Sequence, residues 1–455
     1  MNEKVNALLD SWKEDYARML TRWVQVPSVK AEGEDGAPFG QEIRRMLDMA
    51  MVDAETMGFI THVYDGYACD ITLGREDREM IAVLGHLDVV PAGDGWRVPP
   101  FSATREGDKI IGRGTSDDKG PALAALFAMK AIREARIPLR RSIRLILGCD
   151  EESGWEDMDY YTEQTDVPEI GFSPDASFPL INTEKGMLRM TLKAPVAATG
   201  LRVKQLWTGE RVNVIPGESV AVVEGDRVLA DRVAAYAAKT GLDYRAEVVP
   251  EGVKLTATGI AGHAAYPEGC RNAIGMMLLL LKELGAEGPL ATLADVIGME
   301  YDGASLGIRC RDEVSGALTL NMGILHLEDG TLTATLDCRV PITADLNALR
   351  DTAKAHLTGI TVAEAHTTAP HHVPADSELV TGLLSAYTEV TGLPGKPEST
   401  GGGTYAKVLK QGVAFGASFP DDEDLAHQAN EYIDLNKMIL AAKVYAEALL
   451  RLCAK

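Results

Sequence analysis

A chain of 455 residues is longer than one hydrophobic core usually serves, so two domains are expected, and its 46% apolar and 25% charged content suits an ordinary soluble protein. The formal charge of −22 argues against nucleic acid or an anionic membrane as partner, because both reward a basic surface. The cysteines (Cys69, Cys149, Cys270, Cys310, Cys338, Cys453) form no C-x-x-C pair, the amino terminus lacks an apolar h-region, and the apolar run Ala273 to Leu281 is too short to cross a bilayer; a cytoplasmic location without membrane anchorage is expected.

Residues 2 to 24 carry Val5, Leu8, Leu9, Trp12, Tyr16, Met19, Leu20 and Trp23 at helical spacing, and Gln41 to Met57 repeats the pattern until Gly58. Between them Gln25 to Gly40, rich in Gly, Pro and charge, is predicted as a loop. The organising stretch follows. Met80 to Gly85 is a continuous apolar run, the mark of a strand buried on both faces, and it delivers His86 and Asp88 at its carboxyl end, where open α/β sheets place their chemistry. Beyond a turn at Pro91 to Trp96, Gly112-Arg113-Gly114-Thr115-Ser116-Asp117-Asp118-Lys119-Gly120-Pro121 leads into a helix over Ala122 to Ala135, with Leu123, Leu126, Phe127 and Ile132 as its buried stripe. One of Asp117 and Asp118 suits the helix N-cap, which leaves the other for chemistry. Ser142 to Cys149 is a second buried strand ending in Asp150-Glu151-Glu152-Ser153-Gly154; strand, helix and strand make a right-handed crossover that puts both carboxyl ends on one edge. A further short apolar segment, Gly171-Phe172-Ser173-Pro174-Asp175-Ala176, hands over Asp175.

Past Lys185 the texture changes to strands and short helices, at Leu188 to Lys193, Ser219 to Val223, Arg232 to Lys239 and Val253 to Gly259, the look of an inserted α+β unit. His263 lies there among small residues that leave room for another molecule, before a helix from Asn272 to Leu284. A second pass follows at Ala317 to Leu327, Gly330 to Cys338, Leu346 to His356 and Thr361 to Ala365, so that the two passes read as one duplicated unit. A helix over Glu378 to Thr391, the glycines Gly401 to Gly403, a short strand and loop over Phe415 to Pro420, and a last amphipathic helix ending at Leu452, introduced by Asp424 to Ile433 with His427, complete the chain. The fold class is thus α/β: a catalytic domain, 1–185 and 371–455, with a largely parallel mixed sheet flanked by helices, and an inserted α+β domain, 186–370.

His86, Asp117, Glu152, Asp175 and His427 each stand in a loop after a buried segment or before a helix. Two imidazoles and three carboxylates suit Zn²⁺, with Mn²⁺ or Co²⁺ as substitutes, and their number fits a dinuclear centre in which one carboxylate is shared. Taken together, Gly85-His86-Leu87-Asp88, Gly112 to Gly120, Glu151-Glu152-Ser153-Gly154, Ser173-Pro174-Asp175-Ala176 and His427 with Asn430-Glu431 resemble the M20 metallopeptidases, and among them the dipeptidases of the PepV type. The resemblance spans the whole chain. It implies that Asp117 bridges two Zn²⁺, that His86 and Asp175 complete one site and Glu152 and His427 the other, that Asp88 orients His86, and that Glu151 is the general base. It further implies that the insertion is a lid whose His263, Asn213 and Arg339, with the glycines around Gly402, bind a small peptide substrate, and that the duplicated lid makes the protein a monomer. Two positions depart from the relatives, Ala264-Ala265-Tyr266 after the lid histidine and Ser177 where the dipeptidases often carry Asp; they bear on substrate preference. The expected activity is dipeptide hydrolysis at a free amino terminus. The alternatives are an N-acyl amino acid deacylase, such as a succinyl-diaminopimelate desuccinylase, and a catalytically silent metal-binding protein, which would have no use for both Glu151 and His263.

Overall fold

The computed structural model describes residues 2–196, 200–423 and 425–455; Asp424, at the head of the His427 stretch, lies outside them. The chain divides into two compact units, one of Met1–Thr183, His372–Glu398 and Gly403–Lys455, the other of Glu184–His371 and Ser399–Gly402.

The first unit is built on the strand Met80–His86, which pairs in parallel with Ser142–Gly148 on one side and Ile170–Ser173 on the other. Gln411–Ala414 continues the parallel series beside Ile170–Ser173, and the antiparallel hairpin Ile60–Tyr64/Ala68–Leu73 extends the sheet beyond Ser142–Gly148. Alternate side chains serve opposite faces, as strand geometry requires. Ile81, Val83, Ile143 and Leu145 join a large core with the helices Lys119–Ala135, Glu378–Thr391 and Leu435–Cys453, while Ala82, Leu84 and Ile146 meet Met158, Tyr161, Tyr405 and Leu409 on the other side. Both faces are covered, which is why these strands read as unbroken apolar runs. Their carboxyl ends share one edge.

Local reading and structure part at several points. The segment predicted as one helix over residues 2 to 24 is two, Glu3–Ser11 and Lys13–Val24, with Trp12 between them packed edge-on against Phe127. The helix Lys119–Ala135 carries no mere stripe; it is buried almost all round, its alanines allowing neighbours close approach. In place of a strand beginning at Phe415, the strand is Gln411–Ala414, with a two-residue strand at Ala417–Ser418.

The second unit holds one eight-stranded antiparallel sheet, in the order Asp243–Val249, Gly252–Thr258, Glu218–Val223, Val203–Thr208, Thr319–Glu328, Thr331–Val340, Gly186–Pro195, Thr361–Thr368. Val203–Thr208, Asp243–Val249 and the helix Pro289–Val296 are additions to the elements expected from sequence. The sheet is two four-stranded halves joined where Leu206–Thr208 pairs with Leu325–Leu327, and Trp207 stacks on His326 at that seam, with centroids 3.6 Å apart. Three helices in this unit start at side-chain caps, where Asp226, Asn272 and Asp345 each accept two backbone N–H groups of the first turn, while Pro289–Val296 starts without one, with proline in its first turn.

Candidate metal centre

His86, the last residue of its strand, is fully buried. Its Nδ1 lies 3.0 Å from the Asp88 carbonyl oxygen and 3.3 Å from Asp88 Oδ1, so Nδ1 carries a proton and Nε2 faces the site. Nε2 stands 3.0 Å from Asp117 Oδ1 and 3.7 Å from Asp175 Oδ2. The other Asp117 oxygen, Oδ2, is 3.1 Å from His427 Nε2, which is also 2.9 Å from Glu152 Oε2. Asp117 therefore presents one oxygen to each imidazole. A Glu151 oxygen lies within 4.8 Å of ligand atoms of His86 and Asp175.

Several elements hold this arrangement. Asp88 is buried and accepts from the backbone N–H of Glu151 at 3.2 Å and of Glu152 at 3.1 Å, so it serves the glutamate turn as well as His86. Neither aspartate of the Asp117-Asp118 pair caps the helix by its side chain. Asp118 Oδ2 accepts from the His86 N–H at 3.1 Å, because a strand-end N–H with no ladder partner competes for the buried carboxylate. His427 adopts a left-handed conformation, and so does Asn430, whose side chain accepts from Arg97 N at 2.8 Å and donates to Gly95 O at 3.2 Å, fixing the turn.

The largest addition to what local sequence shows is Glu431. Fully buried, it accepts from Ser116 N at 2.8 Å, Gly114 N at 3.2 Å, Asp117 N at 3.3 Å and the Arg113 guanidinium at 2.6 Å. One carboxylate thus ties the loop bearing Asp117 to the segment bearing His427. Its place beside Asn430 was visible in sequence; its partners, more than 300 residues away, were not.

The electrostatics call for cations. Burial, then the charges of neighbouring carboxylates, raises Glu151 well above the ordinary range, lifts Glu152, and pushes Asp175 up to about 7. Asp117 moves the opposite way: burial would raise it, but hydrogen bonds from His427 and His86 outweigh that and lower it strongly. The bonds from Asp117 and Glu152 push His427 up to about 11. With its proton on Nδ1, a neutral His86 would set the Nε2 lone pair against the Asp117 and Asp175 oxygens; a cation between them makes the contact attractive. N/O donors ranging from fully buried His86 to exposed His427, with an excess of negative charge, fit divalent ions. His86 and Asp175 could hold one, Glu152 and His427 a second, with Asp117 offering an oxygen to each.

The four residues expected to bind substrate converge within the second unit. Val214 and Ile215 pair with His263 and Gly262, and Asn213 O accepts from Ala264 N at 2.9 Å. Ala265 N donates to His263 Nδ1 at 3.2 Å, which leaves the proton of the neutral ring on Nε2. Arg339 is buried and aligned by Asp337, which accepts from its Nε at 2.8 Å, while Nη1 donates to Gly401 O at 2.6 Å. Gly402 N donates to Thr400 Oγ1 at 3.0 Å, and Tyr266 OH meets the same oxygen at 2.8 Å. The Gly402 N–H is thus engaged within its own loop.

This fold and these residues have known relatives. The chain belongs to peptidase family M20/M25/M40, whose model matches residues 82–451, and it is a hydrolase. "Putative dipeptidase YtjP" of Bacillus subtilis (strain 168) is 36% identical over 454 residues, covering 97% of each chain. "Putative dipeptidase SSP1012" of Staphylococcus saprophyticus is 33% identical over 470 aligned residues, covering all of this chain and 99% of that one. The crystal structure of human carnosine dipeptidase 1 shares the fold, with a TM-score of 0.62 at 16% identity over 99% of this chain and 98% of that one. Family membership brings a requirement for divalent metal. Among the described residues no helix is long and apolar enough to cross a membrane.

Proposed function

We propose that this protein is a dinuclear zinc dipeptidase of the aminopeptidase type, cleaving dipeptides with a free amino terminus. The observation that carries the reading is the division of the Asp117 carboxylate between His86 and His427, each backed by a second carboxylate, Asp175 and Glu152. Two Zn²⁺, or Mn²⁺ or Co²⁺ in their place, would polarise the scissile carbonyl and lower the pKa of water. Glu151 takes the proton of the attacking water and passes it to the leaving amine. Asp88 fixes His86 in the tautomer that turns Nε2 to the site. In the inserted unit, His263 offers its Nε2 proton to the oxyanion, Asn213 lies next to it, and Arg339 with the Gly402 loop receives the substrate carboxylate. The names of the curated relatives, both described as dipeptidases, support the substrate class.

The two joined halves of the inserted sheet support a monomer, because one chain carries what two shorter insertions would supply across a dimer. A cytoplasmic location accords with six free cysteines. The test is to load purified protein with Zn²⁺, Mn²⁺ or Co²⁺ and to measure hydrolysis of dipeptides, tripeptides and N-acyl amino acids. Dipeptides should be cut, and chelation should abolish the activity until metal is returned. Cleavage of N-acyl amino acids alone would make the protein a deacylase; no cleavage of any substrate would leave it a metal-binding protein.

A further inference from the structure

We propose that Tyr405 and Asp157 are positioning residues for Glu151. The inference rests on the assignment of Glu151 as general base. Asp157 lies at the start of the helix Glu156–Gln164 and is fully buried. Its Oδ2 accepts from Cys149 N at 2.5 Å, from Asp150 N at 2.9 Å and from the Tyr405 hydroxyl, while Oδ1 accepts from Met158 N at 2.6 Å. The two backbone donors are the residues that leave the strand Ser142–Gly148 and lead into Glu151. Asp157 grips the root of the glutamate turn, as Asp88 grips its tip through Glu151 N and Glu152 N.

Tyr405 joins this clamp to the metal centre. It is fully buried, its hydroxyl is spent on Asp157, and its ring stands edge-on to the His86 imidazole, with centroids 6.3 Å apart, and to Trp155 at 5.2 Å. Trp155 in turn donates its indole N–H to Glu151 O at 2.9 Å. The backbone that carries the base is therefore fixed by two carboxylates, Asp157 and Asp88, and two aromatic side chains, and one of those rings also packs on His86. A core need for apolar filling would be met by Phe at 405. The hydroxyl does something Phe cannot: it holds the oxygen that receives Cys149 N and Asp150 N. Without it Asp157 can turn, and the strand end that aims Glu151 loosens.

The test is a double-mutant cycle on metal-loaded enzyme, with Tyr405→Phe and Asp157→Asn each made in the native and in the Glu151→Gln background. Alone, each should lower kcat about ten- to hundredfold with KM and metal content unchanged, since a misplacement of about 1 Å costs that much. In the Glu151→Gln background each should change kcat less than about twofold, because residues that act as a unit are not additive. An equal fold-loss in both backgrounds, or a native kcat in both single variants, would overturn the proposal. If Glu151→Gln by itself retains native kcat, the base assignment has failed and the positioning role falls with it; that outcome is read from a different variant. Tyr405→Phe keeps ring volume and Asp157→Asn keeps shape, so loss of folding in one leaves the other to decide.

Discussion

Replacing Glu431 by Gln separates the scaffold of the metal centre from its ligands. Glu431 and Arg113 are 0% and 1% exposed, and their 2.6 Å contact is a buried ion pair. Removing one member leaves a buried charge unpaired, a loss of about 3 to 5 kcal/mol. The amide also keeps only one acceptor oxygen: if it stays on Ser116 N and Asp117 N, the NH₂ faces Gly114 N and the Arg113 guanidinium, and if it is turned over, the NH₂ faces Ser116 N and Asp117 N, so at least one backbone donor loses its acceptor. The loop bearing Asp117 should loosen, and metal content should fall although every ligand is still present. Denaturant titration followed by tryptophan fluorescence would report stability, four of the five tryptophans (Trp12, Trp23, Trp96, Trp155) lying in this unit; elemental analysis would report metal. The double variant Arg113→Met with Glu431→Leu should recover part of the stability, because an apolar pair replaces a buried ion pair at little cost. It should not recover metal, since the backbone donors stay unsatisfied. Native stability together with full metal in Glu431→Gln would refute the reasoning.

Glu152→Gln should lose bound metal, whereas Glu151→Gln should keep it and lose roughly 10²- to 10⁴-fold in rate; metal analysis showing the reverse would exchange the two roles. Burial pushes Asp157 up to about 7, so the folded state binds its proton more tightly than the unfolded chain does between pH ~4 and ~7. Stability must then fall as pH rises through that window, with the penalty complete above about 7, and unfolding free energies from denaturant titration of native protein and Asp157→Asn should diverge across it by a few kcal/mol, at about 1.4 kcal/mol per unit. Parallel curves would show that Asp157 does not titrate there. Mixing Glu151→Gln chains with His263→Ala chains after dissociation should restore no activity if each active site uses its own His263; substantial recovery would place the two residues on different chains.

What the sequence determined by itself was local. The apolar runs at Met80–His86 and Ser142–Gly148 could only be strands covered on both faces, and chain direction then put His86, Glu151 and Asp175 at one edge. The helices Leu346–His356 and Glu378–Thr391 begin where Asp345 and Ser377 cap them, signals readable within one turn. Val203–Thr208, with Lys204, Gln205 and Trp207 exposed, carries no such signal, and its place comes from the strands it pairs with on both sides. Which of two adjacent aspartates faces the imidazoles depended on a strand-end N–H 32 residues away that needed an acceptor. The work of Glu431 was likewise set by buried N–H groups from a remote segment, and that of Asp157 drew on the Tyr405 hydroxyl, 248 residues away. Periodicity and capping act over a few residues and are written in order along the chain. The pairing of buried polar groups is settled only when the fold removes water and each donor must find an acceptor among whatever the packing brings near.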